Sequence, residues 1–203
     1  MATQAAPRKA KITVYIAQTL DGFIADSNGK VTFLESYEDT TGEEKPDDCG
    51  YAEFYETVGA LIMGRTSYEL VRGFADWPYK GKMSYVLSTS VIDDMLPDTK
   101  CFQIKGQPSV DEQLRNLIAE IEKDLKEGQC IWVMGGGVTI DAFLKANLVD
   151  ELDIFVLPMM LGSGVPLFPV RGGGASIQSK LTLTRLEKRA KGIARLTYDT
   201  KAK

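Results

Sequence analysis

Short apolar runs of strand length alternate along this chain with segments of helical periodicity. Residues 11–17 alternate apolar and polar side chains and are rich in β-branched residues, which predicts a first strand. Further apolar runs, typical of buried strands, lie at residues 60–63, 85–87, 131–134 and 152–157. Because strands that alternate with helices form α/β layers, this order predicts an α/β domain with a mostly parallel central sheet.

Two capping boxes mark helix starts between these strands. Thr66 and Glu69 have the spacing in which the hydroxyl caps a helix and the carboxylate reaches back, so Thr66 is the predicted cap. Ser109 and Glu112 repeat that spacing ahead of a long series of helix-spaced apolar residues that Gly128 ends. Each box therefore predicts where one helix begins.

The remaining segments complete the predicted layout. Residues 51–57 and residues 139–146 have helical patterns. Residues 26–50 are polar, acidic and rich in Gly and Asp, which predicts a long irregular segment; such loops often bind ligands or act as lids. Two alternating stretches, 181–186 and 193–198, predict a C-terminal antiparallel hairpin that makes the central sheet mixed.

The length of 203 residues suits one domain with a sizeable core. No internal repeat interrupts the pattern, so residues 11–203 are predicted to form a single domain behind a disordered tail, residues 1–10. No apolar run approaches the roughly 20 residues that span a bilayer, so no membrane partner is expected. The net charge is −4 without any dense basic run, which argues against a nucleic-acid partner.

The residue types that are missing narrow the chemistry further. The chain has no histidine, which excludes Ser-His-Asp and Cys-His catalysis and metal sites that need imidazole. The cysteines Cys49, Cys101 and Cys130 form no close pair, so we expect reduced thiols in a cytoplasmic protein and no metal site. Any proton chemistry must therefore use carboxylates, Lys, Tyr or water.

Glycine and small hydroxyl residues end three of the predicted parallel strands, each directly before a helix. In open α/β sheets the carboxyl ends of the strands form the ligand crevice, and helix N-termini there attract phosphate. The run Gly135, Gly136 and Gly137 is the sharpest instance, and Val138 and Thr139 open the next helix. Three adjacent glycines favour a pyrophosphate site over a tight turn that merely tolerates glycine.

A second glycine turn adds a charge. Gly64, Arg65 and Thr66 open a helix, where a cation is disfavoured unless an anion lies nearby. We therefore expect phosphate at this turn; the alternative is a surface Arg held by Asp or Glu. Ser88 and Thr89 could donate hydroxyls to a further phosphate, although such a pair is more often a cap or a turn. Neither glycine turn matches the dinucleotide fingerprint or a Walker motif, so a Rossmann dehydrogenase or an ATPase is a poor fit.

Taken in order, these motifs resemble a known family. Residues 19–25, Thr-Leu-Asp-Gly-Phe-Ile-Ala, are similar to the Ser-Leu/Met-Asp-Gly-x-Ile-Ala signature of the reductase domain of the riboflavin-pathway deaminase–reductase and its stand-alone relatives. The similarity covers nearly all of residues 11–200 in the family's order. It continues through residues 63–69, 86–89, 133–137, 157–158 and 161–168. The resemblance implies the dihydrofolate-reductase-like fold in three layers.

The resemblance also implies NADPH as the cofactor, bound across the strand ends. Its nicotinamide would lie between Ala17 and Ile24, beside Asp21 and Gly22. The implied phosphate contacts are Arg65, Thr66, Ser88 and Thr89 for the 2′-phosphate end, and Gly135, Gly136, Gly137, Val138 and Thr139 for the pyrophosphate. In such a reductase the protein orients the cofactor ring against a small-molecule substrate and excludes water. Family members are commonly homodimers, so a homodimer is expected.

The substrate side departs from the patterns of the relatives. Dihydrofolate reductases place a carboxylate on the first helix; here that helix offers Glu53 and Glu56, which join Asp21 as candidate catalytic residues. For each glutamate the alternative is a solvated helix position. Stand-alone relatives often carry Asp-Trp where this chain has Thr32 and Phe33, so their substrate-side pattern is not kept.

The sequence therefore predicts an NADPH-dependent reductase of a small heterocyclic or carbonyl-type substrate. One alternative is the riboflavin-pathway reduction of 5-amino-6-(5-phosphoribosylamino)uracil, whose phosphate needs a further cation; Lys80, Lys82 and Arg171 are available. A second alternative is dihydrofolate reduction. A third is a non-catalytic, dimeric NADP(H)-binding module, which the lack of an obvious proton donor favours.

Overall fold

Ten strands and five α-helices make up the part of the chain that the computed structural model describes, residues 9–38, 47–169 and 180–201. The strands are β1 (Lys11–Thr19), β2 (Phe23–Ala25), β3 (Val58–Gly64), β4 (Met83–Ser88), β5 (Thr99–Gln103), β6 (Cys130–Gly135), β7 (Glu151–Leu157), β8 (Val165–Pro166), β9 (Thr182–Lys188) and β10 (Ala194–Asp199). The helices are α1 (Glu35–Glu38), α2 (Tyr51–Thr57), α3 (Arg65–Val71), α4 (Val110–Asp124) and α5 (Gly137–Lys145). Two 3₁₀ turns span Thr32–Leu34 and Ala190–Gly192.

Eight of the strands form one sheet in the order β5-β4-β3-β6-β1-β7-β10-β9. The six strands from β5 to β7 in this order run parallel, and β10 pairs antiparallel with both β7 and β9. The predicted parallel sheet with a C-terminal antiparallel hairpin is therefore confirmed. The inner strands β3, β4, β6 and β7 contain nearly continuous apolar runs because helices cover both faces of the sheet there.

Two hydrophobic cores lie on opposite faces of this sheet. Ile12 and Val14 of β1 belong to the core that is built with α4 and α5. Tyr15 of the same strand belongs to the other core, which contains Tyr68 and Val71 of α3. Successive side chains of a strand point to opposite faces, so β1 supplies both cores. The result is the three-layer arrangement predicted for the domain.

Aromatic stacking holds α2 against the centre of the sheet. The rings of Tyr15 and Phe54 stack with centroids 4.3 Å apart and an interplanar angle of 8°. Trp132 meets Phe54 edge-on at 5.4 Å, and its ring N–H donates to the carbonyl oxygen of Tyr15 at 3.1 Å. Such pairs stabilise beyond their buried area, so they fix α2 beside β1 and β6.

A buried ion pair locks the C-terminal hairpin to β7. Arg195 donates to the carboxylate of Asp153 from Nε at 3.0 Å and from a terminal nitrogen at 2.6 Å. The Thr197 hydroxyl donates to the same carboxylate at 2.9 Å. Bidentate, charge-assisted bonds are among the strongest polar contacts in proteins, so this side of the hairpin is rigidly held.

Three local predictions are wrong. Gly64 is the N-cap of α3, so Thr66 lies inside the helix and does not cap it. β4 leads through a loop into the edge strand β5, so Ser88 and Thr89 do not precede a helix. α4 ends at Asp124 rather than near Gly128, because Leu125 turns to an extended conformation while it stays buried in the core.

The other helix predictions are confirmed. α2 has the predicted bounds, and α5 begins two residues before its predicted start. The Ser109 hydroxyl caps α4 by accepting the backbone N–H of Glu112 at 3.3 Å. Among the described residues, no helix combines the length and the apolar character needed to cross a membrane.

The described residues of two predicted irregular segments contain ordered structure. Residues 26–50 contain a 3₁₀ turn and α1, and residues 39–46 lie outside the described part. Of the predicted N-terminal tail, residues 1–8 lie outside the described part as well. Ala10 is buried, and its N–H donates to a carboxylate oxygen of Glu122 at 2.9 Å, so residue 10 belongs to the folded domain and not to a disordered tail.

The two capping boxes should differ in their effect on stability. We expect Ser109→Ala to lower the free energy of unfolding by about 1 kcal/mol, because the helix loses an acceptor for one of its free N–H groups. Thr66→Ala, the matched control, should change it little, since Thr66 caps nothing. Urea denaturation followed by circular dichroism measures both, and equal losses would contradict the assignment of the caps.

Candidate functional site

The carboxyl ends of the parallel strands meet at one edge of the sheet, where β3 and β6 are neighbours. A helix follows each of these two strands directly. α3 packs into the core on one face through Tyr68, whereas α5 packs into the core on the opposite face through Ile140. Open α/β sheets bind ligands at such topological switch points.

The backbones at the switch point approach too closely for side chains at two glycines. A Cβ on Gly64 would lie 2.7 Å from the hydroxyl oxygen of Thr139, a buried residue at the start of α5. A Cβ on Gly137 would lie 2.4 Å from the carbonyl oxygen of Pro166 and 3.0 Å from that of Leu167. These glycines therefore serve packing, because they allow α5 to lie against both β3 and β8.

Gly136 differs, because a side chain there would meet no close neighbour. Its Cβ would make ordinary contacts only, 3.6 Å to Ser67 Oγ and 3.8 Å to Ile24 Cδ1. Gly136 is the N-cap of α5 and offers no side chain to the N–H groups of the first turn. Those groups, beside the exposed Val138, form an arrangement that suits a phosphate. Gly135 has φ +140°, a conformation that favours glycine.

Arg65 lies next to this crevice at the start of α3. One of its terminal nitrogens donates to Ser90 Oγ at 2.9 Å, and its Nε lies 3.6 Å from a carboxylate oxygen of Glu69. A surface arginine held by an acidic residue was the alternative predicted for Arg65, and Glu69 is that acidic residue. Glu69 pairs with Arg65 and does not complete a capping box with Thr66. The side chain of Arg65 is still 47% exposed, which leaves the guanidinium accessible to an anion.

Ser88 and Thr89 follow at the end of β4. Ser88 is buried, and its hydroxyl accepts the N–H of Ser90 at 3.2 Å. The carbonyl of the exposed Thr89 accepts from the Gln103 side chain at 3.3 Å. These bonds shape the loop that carries the Ser90 partner of Arg65, so the structure brings the predicted 2′-phosphate residues into one region.

Two segments, residues 19–25 and 158–168, join beside the switch point and are named here the paired loops. β2 and β8 pair antiparallel within them. The N–H of Leu167 donates to the carbonyl of Gly22 at 2.9 Å, and the N–H of Leu20 donates to that of Met159 at 2.8 Å. Because Gly137 packs on β8, the paired loops are fixed relative to the start of α5.

Asp21 holds the paired loops together. Its carboxylate accepts the Thr19 hydroxyl at 2.5 Å and the N–H groups of Leu161 and Gly162 at 3.1 and 2.7 Å. The Thr19 hydrogen bond is the main reason why the pKa of Asp21 lies below its usual range. Asp21 is therefore an ionised loop-joining residue at neutral pH. A catalytic role for it stays a prediction.

Ala17 and Ile24, the predicted neighbours of the nicotinamide, lie near the end of β1 and in β2. Ile24 points its Cδ1 toward Gly136, within contact distance of a side chain placed there. Ala17 is half-buried near the end of β1 and packs against the core that contains Tyr15. The nicotinamide position itself stays a prediction.

Sequence reasoning missed three residues of this region. Ile16 Cδ1 lies 3.6 Å from the position of a Cβ on Gly135, Ser67 faces Gly136, and Ser90 holds Arg65. Ser67 belongs to the Thr66 capping box and Ser90 directly follows Thr89, so a wider window around each motif would have included both. In the sequence, Ile16 cannot be told apart from an ordinary core residue of a strand.

The other candidate carboxylates lie apart from these contacts. Glu53 and Glu56 are exposed on α2, whose partly buried face carries aromatic residues. Among these, burial raises the pKa of Tyr51 to about 12, so this phenol keeps its proton at neutral pH. Catalytic roles for the two glutamates stay predictions.

The basic residues considered for a substrate phosphate are placed elsewhere. Lys82 donates to the carbonyl of Val58 at 2.6 Å, at the amino-terminal end of β3. Lys80 is exposed and pairs with Asp76 at 3.1 Å. Both lysines therefore lie at the edge of the sheet opposite the switch point. Arg171 lies outside the described residues.

A dihydrofolate reductase from Enterococcus faecalis, complexed with NADP(H), shares this architecture. The two chains are 16% identical, with a TM-score of 0.59 over 96% of this chain and 99% of that one. The layers, the strand order and the switch point define this protein as an α/β protein of the dihydrofolate-reductase-like fold.

The chain belongs to the RibD C-terminal domain family, which residues 10–194 match. It is 36% identical to the uncharacterized protein YwjB of Bacillus subtilis strain 168 over 159 residues, 78% of this chain and 82% of that protein. A solved protein of Shewanella sp. PV-4, provisionally assigned to riboflavin biosynthesis, is 33% identical with a TM-score of 0.74. That match covers 95% of this chain and 99% of the other. The chain is thus a RibD C-terminal, reductase-like domain.

The adjacent glycines Gly136 and Gly137 separate a ligand role from a packing role. We expect Gly136→Ala to leave the free energy of unfolding nearly unchanged but to weaken NADPH binding at least tenfold, because the added methyl group enters the space beside the first turn of α5. Gly137→Ala should destabilise the protein by about 1–3 kcal/mol, because its methyl group would overlap the backbone of β8. Thermal denaturation and titration calorimetry measure both, and unchanged NADPH affinity in a folded Gly136→Ala variant would refute the phosphate role.

Proposed function

We propose that this protein is an NADPH-dependent reductase of a small heterocyclic or carbonyl-type substrate. The observation that carries this proposal is the switch point, where the uncapped start of α5, the open space at Gly136 and the accessible Arg65 lie close together. Backbone N–H groups at a helix start and an arginine are the groups that bind a phosphorylated dinucleotide. Membership of the RibD C-terminal domain family supports the same proposal.

The residues present fit the cofactor in a consistent orientation. The first turn of α5, from Gly137 to Thr139, would bind the pyrophosphate, and Arg65, with Ser90 holding its guanidinium, would bind the 2′-phosphate. The nicotinamide end would then reach Ile24 and the paired loops. Bound there, NADPH supplies the hydride.

The chain's own contribution is to position the ring and exclude water. The paired loops are joined by Asp21 and by the β2–β8 pairing, so they form a fixed wall beside the cofactor site. Asp21 is ionised and its carboxylate oxygens accept hydrogen bonds, so it would orient this wall rather than give up a proton. Glu53 and Glu56 stay the candidate proton-transfer groups of the sequence prediction. The homodimer and the cytoplasmic location also stay predictions.

The cofactor assignment predicts a selective effect of Arg65→Ala. Loss of a charge-assisted contact to the 2′-phosphate should weaken NADPH binding by about 1.5–3 kcal/mol and leave NADH binding nearly unchanged. Titration calorimetry with both cofactors measures the difference, and Arg65→Lys, which keeps the charge but not the fork, should lose less. Equal weakening of both cofactors would show that Arg65 does not bind the 2′-phosphate, and no binding of NADPH or NADP⁺ to the wild-type protein would refute the proposal.

A second candidate function is the reduction of 5-amino-6-(5-phosphoribosylamino)uracil, which the family match and the Shewanella relative favour. The positions of Lys80 and Lys82 weigh against it, because neither lies at the switch-point edge. We therefore expect this pyrimidine to cause no loss of absorbance at the nicotinamide band with saturating NADPH.

A panel of acceptors, assayed in parallel, tests which class of substrate the protein reduces. The panel contains aldehydes, quinones, pterins and dihydrofolate. If the protein binds NADPH tightly and reduces none of these acceptors, it is a non-catalytic binding module.

A further inference from the structure

The paired loops expose large apolar side chains at the ligand edge of the sheet. Leu20 is 65% exposed and Met160 is 71% exposed. Leu20 directly follows β1, and Met160 comes shortly after the end of β7, the strand that pairs parallel with β1. Exposed apolar residues scattered singly are normal in proteins, whereas two of them on joined segments beside a crevice indicate a binding surface.

Hydrogen bonds on both sides of Met160 hold its backbone beside Leu20. The N–H of Leu20 donates to the carbonyl of Met159 at 2.8 Å, and the carboxylate of Asp21 accepts the N–H of Leu161 at 3.1 Å. Met160 lies between these two anchored residues, so its backbone runs alongside Leu20 and Asp21. The exposed pair is therefore presented by fixed segments, which lowers the entropy lost when a ligand binds.

The apolar surface continues inward from these two side chains to the core. Met159 and Ala17 are partly buried, and both pack against the core that contains Tyr15. We name the surface formed by Ala17, Leu20, Met159 and Met160 the apolar rim. It begins in the core and ends in solvent, as a surface that receives an apolar ligand does.

The apolar rim borders the proposed cofactor crevice. β1 lies beside β6, and β6 ends at Gly135. Ile16 Cδ1 of β1 lies 3.6 Å from the position of a Cβ on Gly135, and Ile24 Cδ1 of β2 lies 3.8 Å from that of a Cβ on Gly136. A ligand on the apolar rim would thus lie next to the nicotinamide end of the cofactor.

The paired loops carry one charged residue, and its charge is negative. Residues 158–168 contain no Asp, Glu, Lys or Arg, and Asp21 is the only such residue in 19–25. A carboxylate repels a phosphate or any other anion, and these loops offer no cation to offset the repulsion. The charge of the loops therefore disfavours an anionic substrate.

The basic residues of the turn between β9 and β10 have other partners. This turn lies at the same edge of the sheet, because β10 runs antiparallel to β7. Arg189 pairs with Asp47, and the ammonium group of Lys191 donates to the carbonyl of Ser36 at 3.1 Å. Both cations are thus engaged in holding the turn, and the apolar rim suits an uncharged ligand.

We propose that the hydride acceptor of this protein is an uncharged carbonyl compound with an apolar arm, which the apolar rim binds beside the cofactor. This inference rests on the proposed function and narrows its substrate class. Reduction of such a compound needs no co-reactant beyond NADPH and water. One hydride from NADPH forms a C–H bond at the carbonyl carbon, the π-electron pair of the C=O bond moves to the oxygen, and the oxygen takes one proton from water. The products are an alcohol and NADP⁺.

Binding of amides measures the apolar rim without any turnover. Straight-chain amides from butanamide to octanamide carry a carbonyl group that NADPH does not reduce. In the presence of NADP⁺, their dissociation constants should fall about two- to fourfold for each added methylene, because each methylene leaves water for an apolar surface. Adipamate, which has the length of hexanamide but ends in a carboxylate, should bind at least about tenfold more weakly than hexanamide. Titration calorimetry measures both.

Loss of the exposed side chains shows where the amides bind. Leu20→Ser with Met160→Ser should reduce the change in dissociation constant to less than about 1.5-fold per methylene, because the arm then has little apolar surface to cover. Both side chains are mostly exposed, so the variant should fold, which circular dichroism checks. If it does not fold, Met160→Ser alone repeats the test. Phe74→Ser is the matched control: Phe74 is 47% exposed, lies beyond the end of α3 far from Arg65, and should keep the wild-type dependence.

Two results overturn this inference. Dissociation constants that do not depend on chain length, or adipamate that binds as tightly as hexanamide, show that the apolar rim does not select an uncharged apolar compound. A chain-length dependence that survives loss of Leu20 and Met160 shows that the amides bind to another surface. Calorimetry with NADPH tests the proposed function separately. NADPH binding without a chain-length dependence overturns this inference alone, whereas a protein that binds amides but no NADPH refutes the proposed function and, with it, the role of the rim in hydride transfer.

Discussion

The close approach of β3 and α5 at the switch point is the constraint on which the site depends. Thr139 lies so near Gly64 that a methyl group there would overlap its hydroxyl. This contact brings the first turn of α5 to the end of β3, and hence to Arg65. The contact therefore sets how far the free N–H groups lie from the guanidinium, the two groups that a dinucleotide would bridge in the proposed cofactor site. The close packing of small residues therefore determines the geometry of the proposed ligand site.

The sequence predicted the strands that are buried on both faces, because helices on either side of a parallel sheet require a nearly continuous apolar run in each strand. It did not reveal β5, whose residues Thr99 to Gln103 mix polar and apolar side chains, as is typical of an edge strand. β2 and β8 were missed as well. They have three and two residues and pair only with each other, a contact that no local pattern can indicate.

The sequence predicted which residues make up the candidate site, but not which of them serve packing and which leave room for a ligand. The glycine run and Arg65 were found from the sequence, since both stand at strand-to-helix turns. That Gly137 serves packing and Gly136 leaves room depends on the Pro166 carbonyl, which is distant in sequence and close only in the fold. The same holds for Asp21: its partners Leu161 and Gly162 are 140 and 141 residues away, so a loop-joining role could not be read from its neighbours.

The position of β1 in the sheet has a consequence for synthesis of the chain. Of the described strands β1 is synthesised first, yet its two neighbours, β6 and β7, begin only at Cys130 and Glu151. β1 therefore stays without a sheet partner until β6 has been synthesised, and the C-terminal hairpin joins the sheet after β7. Such distant pairings slow folding and prolong the exposure of apolar strands. A nascent chain that stalls before β6 thus leaves β1 without a partner and has no ligand crevice, because β6 forms one side of the switch point.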